Sequence, residues 1–277
     1  MPAIRQDKSA LESTISGGLL FAFFRNDCAA TIESLRIGKT PANKEPTLPP
    51  LNDAAQTPPV GLLLSGGLDS AVLLMDYIRN GRRVQPFYIH TDVVWAEAER
   101  TAVRQFLARL AEPLIAEPII FEMPLTDLYR DHWSISGHNT PSDQTPDEAV
   151  FLPGRNALLA LKPLLWCQTH GISELAVAVL RGNPFADARR AFFDQFCAAV
   201  AQGNAAPLVR VTRPFASFTK ADVLARAAGL PLELTFSCIS PRDGQHCGRC
   251  NKCGERRQVF AMLGQPDPTV YRSSLVV

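Results

Sequence analysis

From Val60 onward, short apolar runs alternate with stretches whose apolar residues recur at helical spacing. A short apolar run bounded by turn signals suits a strand buried on both faces, whereas recurrence at i, i+3 and i+4 suits an amphipathic helix. On that basis residues 60–64 predict a buried strand, 70–80 a helix stopped at Gly81, and 84–90 the next strand. Residues 97–110 have helical spacing, 118–123 predict a third strand, 156–170 a long helix ended by Gly171, and 175–179 a further strand. Residues 188–201 and 220–228 complete the helices, the latter with Thr219 as N-cap and Gly229 just past its end. Strands alternating with helices imply an α/β fold, a doubly wound parallel sheet with helices on both faces. In such sheets ligands bind beyond the carboxyl ends of the strands.

Ahead of this pattern, residues 1–40 form an N-terminal segment of unassigned role. Its apolar stretch 17–30 reads equally as a strand pair or a short helix. Residues 41–59 carry Pro41, Pro46, Pro49, Pro50, Pro58 and Pro59 with few large apolar residues, which predicts an extended linker. At 277 residues the chain accommodates one large α/β domain with small appendages. Lys plus Arg is 28 against 27 for Asp plus Glu, so a formal charge of +1 offers no global field for a polyanion, and a nucleic-acid partner is not expected. No apolar run approaches the roughly 20 residues that span a bilayer, and the N-terminus lacks a signal-peptide core. A cytoplasmic protein without a membrane partner is the expectation. A homodimer is the expected assembly.

Ser65, Gly66, Gly67, Leu68, Asp69 and Ser70 follow the first strand and open a helix. Two glycines let the backbone approach a ligand closely, so that several N–H groups converge on one anion at a helix N-terminus. The hydroxyls of Ser65 and Ser70 add donors. A Walker A loop needs Lys followed by Ser or Thr after its last glycine, and Leu68 and Asp69 stand there instead, which disfavours ordinary kinase or GTPase chemistry.

The chain has seven cysteines, of which Cys238, Cys247, Cys250 and Cys253 are spaced C-x8-C-x2-C-x2-C while Cys28, Cys167 and Cys197 stand alone. An odd number with this clustering suits a metal in a reducing compartment better than disulfides. Four thiolates about 2.3 Å from one tetrahedral Zn²⁺ fill every coordination position, so a zinc here is structural. An iron–sulfur cluster takes the same four ligands and is the rival. His246, beside Cys247, is read as a bystander.

With these motifs the sequence resembles the 7-cyano-7-deazaguanine synthases, PP-loop ATP pyrophosphatases of the queuosine precursor pathway. The resemblance rests on SGGLDS at 65–70, FLPGRN at 151–156, FADARRAF at 185–192 and FSC(x8)CGRCNKCGERRQVF at 236–260. It implies a PP-loop domain over 60–235 and a zinc-binding segment with the C-terminal tail over 236–277. It also implies a ligase reaction in which ATP and Mg²⁺ bind over the turn and the carboxylate of 7-carboxy-7-deazaguanine attacks the α-phosphorus. Pyrophosphate then leaves, ammonia displaces AMP to give an amide, and a second ATP carries the amide to the nitrile. Carried onto this chain, the resemblance places Ser65, Gly66, Gly67, Leu68, Asp69 and Ser70 around the nucleotide, with Asp69 near Mg²⁺. Arg155 and Asn156 at a loop-to-helix junction, with Asp187 and Arg189, are the substrate group; Lys220 contacts phosphate. Asp69, Arg155 and Lys220 are the expected catalytic residues.

The chain departs from the family in having some 59 residues before its first strand. A YGQRH-like segment after the second strand is replaced by Tyr88, Ile89, His90, Thr91, Asp92, Val93, Val94 and Trp95, and the lead into the substrate segment is shortened to 180–184. These changes fall beside the expected substrate and not in the ATP site. They leave a second reading open, a paralogue that activates the same or a similar acid but passes it to another amine, on a protein for example, and stops at the amide. A tRNA thiolase, and a zinc module binding nucleic acid through Arg249, Lys252, Arg256 and Arg257, are further rivals.

Overall fold

A computed structural model describes residues 58–272. The expectations for stretch 17–30 and for nearly all of the linker lie outside the described residues. β1 (Val60–Leu63) is followed by α1 (Leu68–Arg79), β2 (Val84–His90), α2 (Ala96–Leu110) and β3 (Ile119–Glu122). Two short helices, α3 (Thr126–Tyr129) and α4 (Trp133–Ser136), precede the long α5 (Arg155–Thr169) and β4 (Glu174–Ala176). Then come α6 (Arg190–Gly203), β5 (Arg210–Thr212), α7 (Lys220–Ala225) and α8 (Asn251–Met262).

The strands pair in parallel in the order β3-β2-β1-β4-β5. Alternate side chains on β1 and β2 explain the two covered faces. Val60, Leu62, Leu64, Val84 and Tyr88 pack with α1, Val103 and Phe106 of α2, Val223 and Leu224 of α7, and Val259 and Phe260 of α8. Phe87 and Leu175 point the other way, toward Ala160, Leu164 and Cys167 of α5 and Cys197 of α6. On that second face Gly61 permits close approach: a Cβ there would sit 2.9 Å from the Phe87 ring and 3.1 Å from Cys167 Sγ. The sheet is thus doubly wound. Its strand order reverses between β1 and β4, and the crevice at that point is where such sheets bind ligands.

Several boundaries differ from those the sequence predicts. α1 begins at Leu68, two residues early, because Gly67 already serves as its N-cap. β4 ends at Ala176: Val177 N–H still donates to Thr212 O at 2.9 Å, but β5 has ended at Thr212 and the next residues border a cleft instead. Residues 186–188 form a 3₁₀ turn before α6 starts at Arg190. α7 has the expected Thr219 cap, in a reciprocal capping box with Asp222, but stops at Ala225. No helix among the described residues is long and apolar enough to cross a membrane.

Candidate active site and metal centre

At the carboxyl ends of β1 and β4 lies a cleft of about 350 Å³. Its floor is the turn after β1. Gly66 has φ +75°, and an added Cβ would stand 3.1 Å from Val103 Cγ2 and 3.2 Å from the Glu99 carbonyl oxygen, so only glycine fits there. Gly67 caps α1 with no side-chain acceptor for the first-turn N–H groups. Ser70 Oγ donates to Gly67 O at 3.1 Å and lies 3.3 Å from Ser65 Oγ, which orients both hydroxyls. An uncapped helix N-terminus of this kind favours an anion. Replacing Gly66 by Ala should cost about 1–3 kcal/mol of stability from the strained backbone alone, readable as a lowered denaturation midpoint.

Ser65, Gly67, Leu68, Asp69, Ser70, Arg155, Asn156 and Lys220 all border the cleft. They do not play equivalent parts. Lys220 Nζ lies 2.6 Å from Asp69 Oδ2 and 3.4 Å from Glu255 Oε1, and Lys252 Nζ lies 2.9 Å from Glu255 Oε2 and 3.1 Å from Asp147. Charges therefore alternate along one wall. The carboxylates of Asp69 and Glu255 hold Lys220 protonated against the pull of burial. Burial pushes Glu255 up, but Lys220 and Lys252 outweigh it and bring the carboxyl to about 2. Burial pushes Asp69 upward and Lys220, shared with Glu255, only partly offsets this. Asp69 Oδ1 is buried with no hydrogen-bond partner, an anionic oxygen whose chemistry fits a hard cation such as Mg²⁺.

Arg155 begins α5, and among the described residues its guanidinium makes neither a hydrogen bond nor an ion pair. That leaves a cation free to meet an anionic ligand. Asp187 and Arg189 do not border the cleft. Asp187 instead accepts from the backbone N–H and side-chain amide of Asn156, at 3.2 and 3.0 Å, and so fixes the start of α5 that carries Arg155. Arg189 is exposed at the N-cap of α6. Groups that pattern reading passed over are Glu99 and Glu255, each a polar position within a helix, and Lys252, read only as part of a nucleic-acid footprint, joins them at the cleft. Trp95, Trp133 and Phe185 add aromatic surface, with the two indoles stacked at 5.6 Å.

Cys238, Cys247, Cys250 and Cys253 are buried with all Sγ atoms within 4.8 Å of one another. Cys250 and Cys238 Sγ are 3.8 Å apart, the spacing of about 3.8 Å that sulfurs at tetrahedral Zn–S distances require. Backbone N–H groups of Ser240 and Cys247 donate to Cys238 Sγ, each at 3.3 Å, which suits thiolates. His246 Nε2 accepts from Ser237 N–H at 3.0 Å and is engaged away from the cysteines. The four thiols fit a closed, structural metal site. Cys250 caps α8, the helix that brings Lys252 and Glu255 to the cleft, and Phe236 N–H donates to Gly66 O at 2.8 Å. Of the four basic residues that would form a nucleic-acid footprint, Arg256 is only 2% exposed and Arg257 pairs with Asp143. They form no open basic face.

The model of the family described as queuosine biosynthesis protein QueC matches residues 60–264. The chain is 28% identical over 228 residues to a 7-cyano-7-deazaguanine synthase of Methanothermobacter thermautotrophicus, covering 76% of this chain and 97% of that protein. It is 29% identical over 231 residues to one from Azoarcus, covering 76% and 96%. Among solved structures, a predicted tRNA methyltransferase subunit from Methanocaldococcus jannaschii superposes with a TM-score of 0.44 at 11% identity, over 79% of this chain and 94% of that one. The matched span contains the whole sheet, the glycine turn and the four cysteines, and the chain belongs to the QueC family.

Proposed function

We propose that this protein is an ATP-dependent ligase that adenylates a carboxylate, 7-carboxy-7-deazaguanine in the first instance, and transfers the acyl group to an amine. The observation that carries this reading is the pairing, in one cleft, of an uncapped helix N-terminus with an uncommitted arginine. The first-turn N–H groups with Ser65 and Ser70 hold the departing pyrophosphate portion, and Arg155 offsets charge on the carboxylate and the α-phosphate. Asp69 would hold a Mg²⁺ through its unpartnered Oδ1, and the cation would supply charge neutralisation for the phosphates when bound. Lys220 sets the position of Asp69 and is within reach of phosphate. Asp187 acts through Asn156 by keeping Arg155 at the head of α5, while Arg189 remains a candidate for the acid's outer edge. The cysteine site holds zinc and anchors the wall beside the turn.

With ammonia as acceptor the product is an amide and, after a second activation, the nitrile. A specific observation favours the alternative that stops at the amide or serves another amine, a protein amine included. The charged and titratable side chains His90 and Asp92, at the end of β2, are engaged away from the cleft: His90 bonds Glu122 and Glu97, at 2.7 and 2.9 Å, and Asp92 accepts from the N–H groups of Leu125 and Thr126. Incubation with ATP, Mg²⁺ and the acid, with and without ammonia, tests both readings. AMP and pyrophosphate should form in equal amounts, with amide accumulating ahead of nitrile. ADP and phosphate as products would exclude adenylation; rapid stoichiometric nitrile formation would exclude the second reading.

A further inference from the structure

Glu99 has no part in the scheme above, yet it stands in the same cleft. It projects from the first turn of α2, where that helix packs on the glycine turn closely enough that its carbonyl oxygen would lie 3.2 Å from a Cβ on Gly66. It shares the cleft with Ser65, Trp95 and Arg155, and a smaller recess of about 40 Å³ continues from it past Tyr88 and Thr91. Its neighbours in sequence are spent otherwise, Glu97 on His90 and Arg100, and Arg100 on Glu97. Glu99 itself makes no ion pair within 4 Å among the described residues. Held by the Trp95 side chain but by no ion pair, this carboxylate stands beside the one uncommitted arginine of the cleft, where it is open to a ligand.

Resting on the adenylation reading and extending it to the second half-reaction, we propose that Glu99 is the base that takes the proton from the acceptor amine as it attacks the acyl-adenylate. The amine enters neutral and its lone pair forms the new N–C bond. The bond between the acyl carbon and the phosphate oxygen breaks, with AMP leaving on that electron pair. The proton lost by nitrogen passes to the Glu99 carboxylate and from there to solvent, while Arg155 lies on the side of the departing phosphate charge. Desolvation raises the Glu99 carboxyl to about 7 against the opposing pull of Arg155 and of the Trp95 side chain, so a base and its conjugate acid coexist near neutral pH. The groups bearing on it are Arg155 on α5 and the Trp95 side chain, and Glu99 in turn bears on Tyr88 of β2 together with Glu97, Arg100 and Arg155. The imidazole of His90 stands between Glu97 and Glu122, at 2.9 and 2.7 Å.

The full chain with Glu99→Gln and Glu99→Asp tests this by separating the two half-reactions. Acid-dependent ATP–pyrophosphate exchange reads adenylation, and single-turnover amide formation from the accumulated adenylate reads aminolysis. Glu99→Gln should slow aminolysis by about 10²-fold or more while exchange changes far less, and Glu99→Asp should recover part of the loss. With hydroxylamine, an acceptor largely neutral near pH 7, the unsubstituted protein should show a rate that rises with pH through about 7, and Glu99→Gln should lack that limb. Equal slowing of both half-reactions by Glu99→Gln, or an unchanged pH profile, would overturn the assignment. Absence of exchange in the unsubstituted protein would remove the adenylation reading and this role with it.

Discussion

Cys250→Ser should cost the protein its zinc and, with the zinc, its folded cleft. A structural zinc contributes on the order of 10 kcal/mol to folding, comparable with the whole stability of a typical domain at about 5–15 kcal/mol. Removing one thiolate weakens that contribution at the residue that also caps α8. The helix presents Cys253, Arg256, Val259 and Phe260 to the interior, so its release uncovers a buried guanidinium together with part of the apolar core. Arg256 is held by Thr235 Oγ1 at 2.8 Å and Leu232 O at 2.9 Å, contacts that tie the 232–235 turn to the same helix. The loss should therefore reach Lys220 and Glu255, about one turn further on. Metal analysis should give one zinc per chain for the unsubstituted protein and none for Cys250→Ser, with the thermal transition lowered or lost. Cys167→Ser and Cys197→Ser, both in the core beneath α5 and α6, should keep their metal. Iron with inorganic sulfide, or a metal-free Cys250→Ser that stays folded and active, would overturn the assignment.

The elements that pattern reading located are those whose burial is periodic. β2 matches residue for residue because six of its seven positions are buried, and among those six only Gln85 is polar. α8 escaped because its inward face is Cys253, Arg256, Val259 and Phe260, and a cysteine ligand and a buried arginine do not register as apolar. β5, three residues on the sheet edge with an exposed first position, is too short to leave a period. The glycine turn was legible because its chemistry is local: positive φ at Gly66 and an uncapped helix start are properties of six consecutive residues. The cleft wall was not. Glu99 and Glu255 have no assigned role in any motif, and only the 3-2-1-4-5 strand order and the anchoring of α8 at the metal centre bring them to the cleft. Asp187 shows the same limit from the other side, since its motif reads as a substrate segment but its carboxylate is taken up by Asn156, which borders the cleft.

Lys220→Met should combine a large loss of stability with a near-complete loss of adenylation. Lys220 joins α7 to α1 and α8 through two carboxylates, with Asp69, Lys220 and Glu255 side chains 24, 23 and 30% exposed. Removing one partner of such a pair costs about 3–5 kcal/mol, because the remaining charge is stranded away from water. Here two carboxylates are left, and the residual exposure together with Lys252, still bonded to Glu255, places the expectation at the lower end of that range. The cost should depend on pH in a defined direction. With Lys220 present, Glu255 is held at about 2, so its contribution is complete above the ordinary carboxylate range and is lost as pH falls toward 2. Without Lys220 that depression shrinks, and the variant's deficit relative to the parent should be largest near neutrality and narrow in acid. Lys220→Met/Glu255→Gln should recover part of the stability, since one stranded charge is gone. It should not recover pyrophosphate release, which is expected to stay down roughly 10²–10³-fold because Asp69 has lost the ammonium at 2.6 Å that orients it beneath the phosphates. Denaturant unfolding from neutral pH to pH 3 and pyrophosphate release separate the two effects. A Lys220→Met protein of unaltered stability would refute the stabilising role of the network, and full recovery of release in the double variant would place the function of Lys220 in charge compensation for Glu255 instead of in positioning Asp69.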